Sequence, residues 1–120
     1  MFFVVGVFAD DVIASAEYKG RPPVIPCEDR VRLVAALKCV DAVVVLHDRE
    51  YVARLRECQA DVLAVGESWG SHPKHREAVE YMKSINGRVV RFPYTRGIST
   101  TQIKHSIIAG KPARASTSCP

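Results

Sequence analysis

The residues best equipped for chemistry lie near the C-terminal end, in Tyr94, Thr95, Arg96, Gly97, Ile98, Ser99, Thr100 and Thr101. Three consecutive hydroxyls follow an arginine and a glycine and open an amphipathic stretch. Ser99 and Gln102 have the spacing of a capping box, in which the serine oxygen covers a free backbone N–H. A helix start offers further unpaired N–H groups and a partial positive charge. Gly97 lets a ligand come close to the backbone, Thr100 and Thr101 add donors, and Arg96 adds a full charge. Together these would seat a triphosphate. The plain alternative is a well-capped helix, with Ile103, Ile107 and Ile108 turned inward and Gly110 and Pro112 closing it.

Other reactive side chains give weaker patterns. His72 and His75 form an HxxH pair beside Pro73, but no third ligand is evident, so a solvated helix start is preferred to a metal site. His47 and His105 fall in no pattern. Cys27, Cys39, Cys58 and Cys119 have no CxxC spacing and read as reduced thiols of a cytoplasmic chain.

Four apolar runs must position these groups: Phe2–Phe8, Ala42–Leu46, Asp61–Val65 and Arg88–Phe92. Each is short and apolar on both faces, as parallel strands covered by helices are. Helical patterns span Glu28–Cys39, Glu50–Cys58 and Pro73–Ile85. The second carries Val52 and Leu55 inward, and the third stops at Asn86-Gly87. The alternation gives an α/β class, a Rossmann-like parallel sheet with flanking helices. With 120 residues the chain holds one domain, placed at residues 1–109, and residues 110–120 read as a disordered tail. The net charge of +4, without basic runs interleaved with aromatics, does not point to nucleic acid. The apolar start is too short for a membrane span or a signal peptide.

GISTT at a helix start, after a strand ending in proline, resembles the nucleotide-binding signature of the cytidylyltransferase family, within the HxGH nucleotidyltransferase superfamily. The glycerol-3-phosphate type is the nearest. FFVVGVFADD resembles the family's second strand and the aspartate after it, here Asp10. KGRPPVIPCEDRVRLVAALKCVDAVVV resembles its basic loop, helix and third strand, and DVLAVGESWG resembles its strand ending in Gly-Asp-Asp-Trp. The resemblance implies transfer of CMP from CTP to a phosphoalcohol, with release of pyrophosphate and with magnesium accompanying the triphosphate. By position it gives Lys19 and Arg21 the role of catalytic phosphate contacts. It gives Asp10, Arg30, Gly66, Glu67 and the segment Tyr94 to Thr101 the role of nucleotide binding. Tyr94 stands where the family has an arginine and Arg96 where it has a glutamate, and Trp69 either walls the site or packs.

The family's HxGH stretch, on its first strand and first helix, does not occur in these 120 residues. The family's first strand lies centrally in the sheet, so its neighbours here are expected to carry unpaired edges, and the chain alone is expected to be inactive. Three readings follow. Met1 is internal to a longer enzyme; or the chain binds nucleotide without turnover, alone, as a homodimer or with a full-length partner; or it is an adenylyltransferase for a sugar phosphate or flavin precursor.

Overall fold

The computed structural model describes residues 1–112. In chain order the elements are β1 (Val4–Phe8), α1 (Asp10–Ala14), α2 (Cys27–Ala35), β2 (Ala42–Leu46), α3 (Tyr51–Glu57), β3 (Val62–Gly66), α4 (Pro73–Ser84), β4 (Arg88–Phe92) and α5 (Thr100–Ala109). Each strand is a five-residue apolar run rich in valine, whose branched side chain suits the pleat.

The strands form two separate parallel pairs, β1 with β2 and β3 with β4. In the first, Val4 lies opposite Ala42 and Phe8 opposite Leu46; in the second, Val62 faces Arg88 and Gly66 faces Phe92. This is a Rossmann-like arrangement divided in two. Both pairs are strand–helix–strand units, with α2 packed on β1 and β2 and α4 packed on β4, and α3 lies against α4. The buried core consists of Val7, Ala9 and Val12 on one side and Ala78 and Met82 on the other. Gly87 serves the second side. A Cβ there would lie 2.6 Å from the Met82 methyl and 3.1 Å from the Asp61 carbonyl, so only glycine lets β4 start this close to α4.

Several boundaries differ from the sequence reading. Asp10 and Asp11 do more than end the first strand: they open α1, where two carboxylates favour the helix N-terminus. The helix expected to reach Cys39 ends at Ala35, because the Leu37 N–H turns back to the Val34 carbonyl and tightens the chain. The isoleucine stripe of the last helix does not face inward. Ile103, Ile107 and Ile108 are 42%, 75% and 84% exposed, since α5 makes no extended contact with any other described element. Of the expected tail, Gly110 forms the left-handed cap of α5, and residues 113–120 lie outside the described residues.

Candidate active site

The C-terminal ends of β1, β3 and β4 converge, which is where open parallel sheets bind ligands. After β3 the chain turns at Gly66, whose carbonyl accepts from the Trp69 N–H at 3.2 Å. The turn is tied to β4 and the segment after it at three points. A Glu67 carboxylate oxygen accepts from the Tyr94 N–H at 3.1 Å, the Ser68 and Tyr94 hydroxyls bond to each other, and Arg91 donates to the Trp69 carbonyl. Gly66, Glu67 and Tyr94 are thus brought together.

The hydroxyl segment is open to solvent. Residues 93–99 are irregular, Gly97 sits at φ +81°, and Ser99 caps α5 by accepting from the Gln102 N–H at 3.1 Å. One arm of the expected capping box is therefore formed. Thr95, Arg96, Thr100 and Thr101 are exposed beside it, with Ile98 at the border of exposure.

Asp10 and Arg30 are engaged with each other. The Arg30 guanidinium reaches the Asp10 carboxylate at 2.6 Å and donates to the carbonyls of Phe8 and Ile25, each at 2.8 Å. The same Asp10 oxygen accepts from the Cys27 N–H at 2.9 Å. This clamp fixes the end of β1 against the start of α2. Lys19 and Arg21 lie on the exposed loop between α1 and α2, and no hydrogen bond or ion pair joins them to residues 94–101 among the described residues.

Of the wall of this site, sequence reasoning offered Trp69 and Tyr94 and missed the rest. A groove of about 590 Å³ runs between the two strand pairs, lined by Phe8, Tyr18, Tyr51, Trp69, His75 and Tyr94 together with strand residues. His75 stacks on Trp69, with ring centroids 4.1 Å apart and 19° between planes, and Tyr51 meets Trp69 edge-on at 5.6 Å. Trp69 therefore both packs and walls the site. The His75 Nδ1 accepts from the Gly70 N–H at 3.1 Å, and its Nε2 lies 3.5 Å from Arg49. Burial, then the charge of Arg49, then His72, lower the His75 pKa below its ordinary value. The His72 Nδ1 caps α4 by accepting from the Lys74 N–H. Each histidine of the HxxH pair thus spends a ring nitrogen on the backbone. That spacing, Trp69 and Tyr94 hinted at the wall, but Phe8, Tyr18 and Tyr51 come from distant segments. A smaller hollow of about 310 Å³ between α2 and β2 offers Asp41 alone as an ionisable group.

Among the described residues, no cluster of three or more His, Cys, Asp or Glu could hold a metal ion, and no helix is long and apolar enough to cross a membrane. Cys27, Cys39 and Cys58 are free thiols, and Cys119 lies outside the described residues.

A family model described as cytidylyltransferase-like matches residues 3–106. The chain is 34% identical to the bifunctional protein HldE of Streptomyces coelicolor over 83% of its own length, and 30% identical to the D-beta-D-heptose 1-phosphate adenylyltransferase of Bordetella bronchiseptica over 89%. It is 35% identical to the FAD synthase of Archaeoglobus profundus over 58%. It spans 21% of that HldE protein, 65% of the heptose enzyme and 44% of the FAD synthase.

Proposed function

From the premise that the chain belongs to the cytidylyltransferase-like family, we propose that it carries the nucleotidyl-transfer site of an adenylyltransferase. Its substrates would be ATP and a phosphorylated sugar or flavin precursor. The relatives that match most of the chain support ATP over CTP, because one of them is a heptose 1-phosphate adenylyltransferase and others are FAD synthases. They favour a sugar phosphate or flavin precursor over the phosphoalcohol acceptor suggested by the GISTT resemblance. The observation that carries the reading is the joint between the Gly66–Trp69 turn and Tyr94, which lines the groove five residues before the cap of α5.

An acceptor phosphate oxygen attacks the α-phosphorus of ATP, the bond to the β-phosphate breaks, and pyrophosphate leaves as AMP is transferred. Such a reaction needs charge neutralisation and alignment more than covalent help from the protein. Ser99, Thr100, Thr101 and the α5 N–H groups would hold phosphate oxygens, with Arg96 supplying charge and Gly97 and Ile98 setting the turn. Thr95 and Tyr94 would border the nucleoside, and Gly66 and Glu67 would meet ribose and base. Lys19 and Arg21, unpaired with any described carboxylate, would close over both substrates' phosphates. Asp10 and Arg30 would act indirectly, by holding the end of β1. Magnesium would arrive on the triphosphate, since no carboxylate cluster among the described residues could cage it. The cytoplasm is the compartment that this reading implies.

The test is pyrophosphate release from ATP and from CTP, each with a sugar 1-phosphate or with FMN. Faster release from ATP with either acceptor supports the reading, and faster release from CTP overturns it. A second reading has these 120 residues, which carry no HxGH pair, bind ATP without turnover. Saturable ATP binding with no pyrophosphate would select it.

A further inference from the structure

We propose that Arg49 is a positioning residue of the transfer site: it holds the turn that carries Lys19 against the groove, so that the lysine meets the substrates' phosphates. Arg49 stands on the loop between β2 and α3, and its guanidinium reaches two other segments. Its Nη1 donates to the Glu17 carbonyl at 3.3 Å, and its Nη2 lies 3.5 Å from the His75 Nε2. Its Cζ sits 5.2 Å from the centroid of the Tyr18 ring. The Lys19 ammonium lies 5.9 Å from the same centroid. Two cations therefore share one ring, and that ring lines the groove.

The backbone bonds of this turn are local. The Tyr18 and Gly20 N–H groups donate to the Ser15 carbonyl at 3.0 Å and 2.9 Å, and the Lys19 N–H donates to the Ile13 carbonyl at 3.1 Å. Residues 15–20 thus fold back on the end of α1, with Gly20 at φ +69°. Among the described residues, Arg49 makes the only side-chain hydrogen bond that reaches residues 16–21 from another segment. Phe8 lies 5.5 Å from Tyr18 between ring centroids, an apolar contact that fixes no direction for the neighbouring lysine.

Stability alone does not account for a guanidinium here. The Arg49 Nε is buried without a hydrogen-bond partner, and a buried unpaired donor costs stability. The charge also opposes protonation of His75. An apolar side chain would avoid both costs. It could not take the Glu17 carbonyl while meeting the Tyr18 ring and His75 at once. Through Arg49 the turn is fixed to the histidine that stacks on Trp69, so Lys19 and the wall of the site keep one relative position. Alignment of that kind is what phosphoryl chemistry draws on. The part given to Lys19 rests on the nucleotide reading, and the hold on its turn does not.

Two variants test this. Arg49→Met keeps the stem and loses donors and charge, and Arg49→Lys keeps the charge but cannot meet a carbonyl and a ring with one ammonium. Trypsin reads the turn directly, because it cuts after Lys19, whereas Arg21 is followed by Pro22 and resists. Lys83, within α4, is the control for opening of the fold. Both variants should speed cleavage after Lys19 at least about tenfold and leave cleavage after Lys83 unchanged. An unchanged rate at Lys19 overturns the proposal. So does equal acceleration at both sites, which would make Arg49 a support of the whole fold. In an ATP titration each Arg49 variant and Lys19→Ala should weaken binding about fivefold, and joining Arg49→Met to Lys19→Ala should add nothing. Additive losses would mean that Arg49 meets the nucleotide itself, and full affinity in Arg49→Lys would mean a general effect of charge; either overturns the positioning role. A parent chain that binds no ATP overturns the nucleotide reading and the part of Lys19 with it, while faster cleavage after Lys19 would still establish the hold of Arg49 on the turn.

Discussion

The neighbours of His75 favour its neutral form. Its Nδ1 must be bare to accept from Gly70, and Arg49 stands against Nε2. Protonation would oppose both contacts, so the folded chain binds this proton less readily than the unfolded chain does. A lowered folded pKa places the stabilisation above the ordinary histidine value of 6.5 and removes it as pH falls from there through the folded value. Urea unfolding at pH 7 and about pH 5 should show stability falling on acidification, and His75→Phe should flatten that dependence. A slope unchanged by the substitution would assign it to another group. Glu67 gives a second test. Its bond to the Tyr94 N–H joins the two loops of the site, and Glu67→Ala should cost about 1 kcal/mol and weaken ATP binding several-fold in a titration. Glu67→Gln keeps an acceptor and should retain most of the loop geometry.

At the scale of elements, Ser99→Ala removes the cap of α5 and should cost about 1 kcal/mol of stability, with a matching loss of phosphate affinity. Arg30→Lys should not rescue the clamp between β1 and α2. One ammonium cannot meet the Phe8 and Ile25 carbonyls and Asp10 in the planar fork that Arg30 presents, and the loss in thermal unfolding should be about 2 kcal/mol. The elements that a sequence reader can place are those set by local chemistry. Ala42–Leu46 and Arg88–Phe92 are bounded by Asp41 and Pro93 at their ends, and Ser99 signals its own cap. What could not be read depends on pairing between distant residues. Asp10 and Asp11 look like a strand stop whether or not a helix follows. The isoleucines of α5 have helical spacing, but spacing does not say whether a surface lies beneath them. The wall of the site draws Phe8, Tyr18, Tyr51 and Trp69 from separate segments, and no local pattern gathers them.

For the whole molecule, the accessible surface of 9177 Å² exceeds the roughly 6,500 Å² usual for a folded chain of 13.3 kDa. The excess fits a domain with a central groove and an unpacked helix. A ligand that binds only the folded chain adds to its stability by mass action. ATP at about 100 times its Kd should add about 2.7 kcal/mol. A thermal-shift series should place ATP above CTP, and the reverse order would return the cytidylyl reading.

The division of the sheet also bears on how the chain comes apart. Val7 and Val12 anchor one half, and Ala78 and Met82 anchor the other, while no ladder of backbone bonds crosses between them. The halves therefore have the makings of two separate cooperative units. Calorimetry should give a total enthalpy larger than the van't Hoff value of its transition, as all-or-none melting does not.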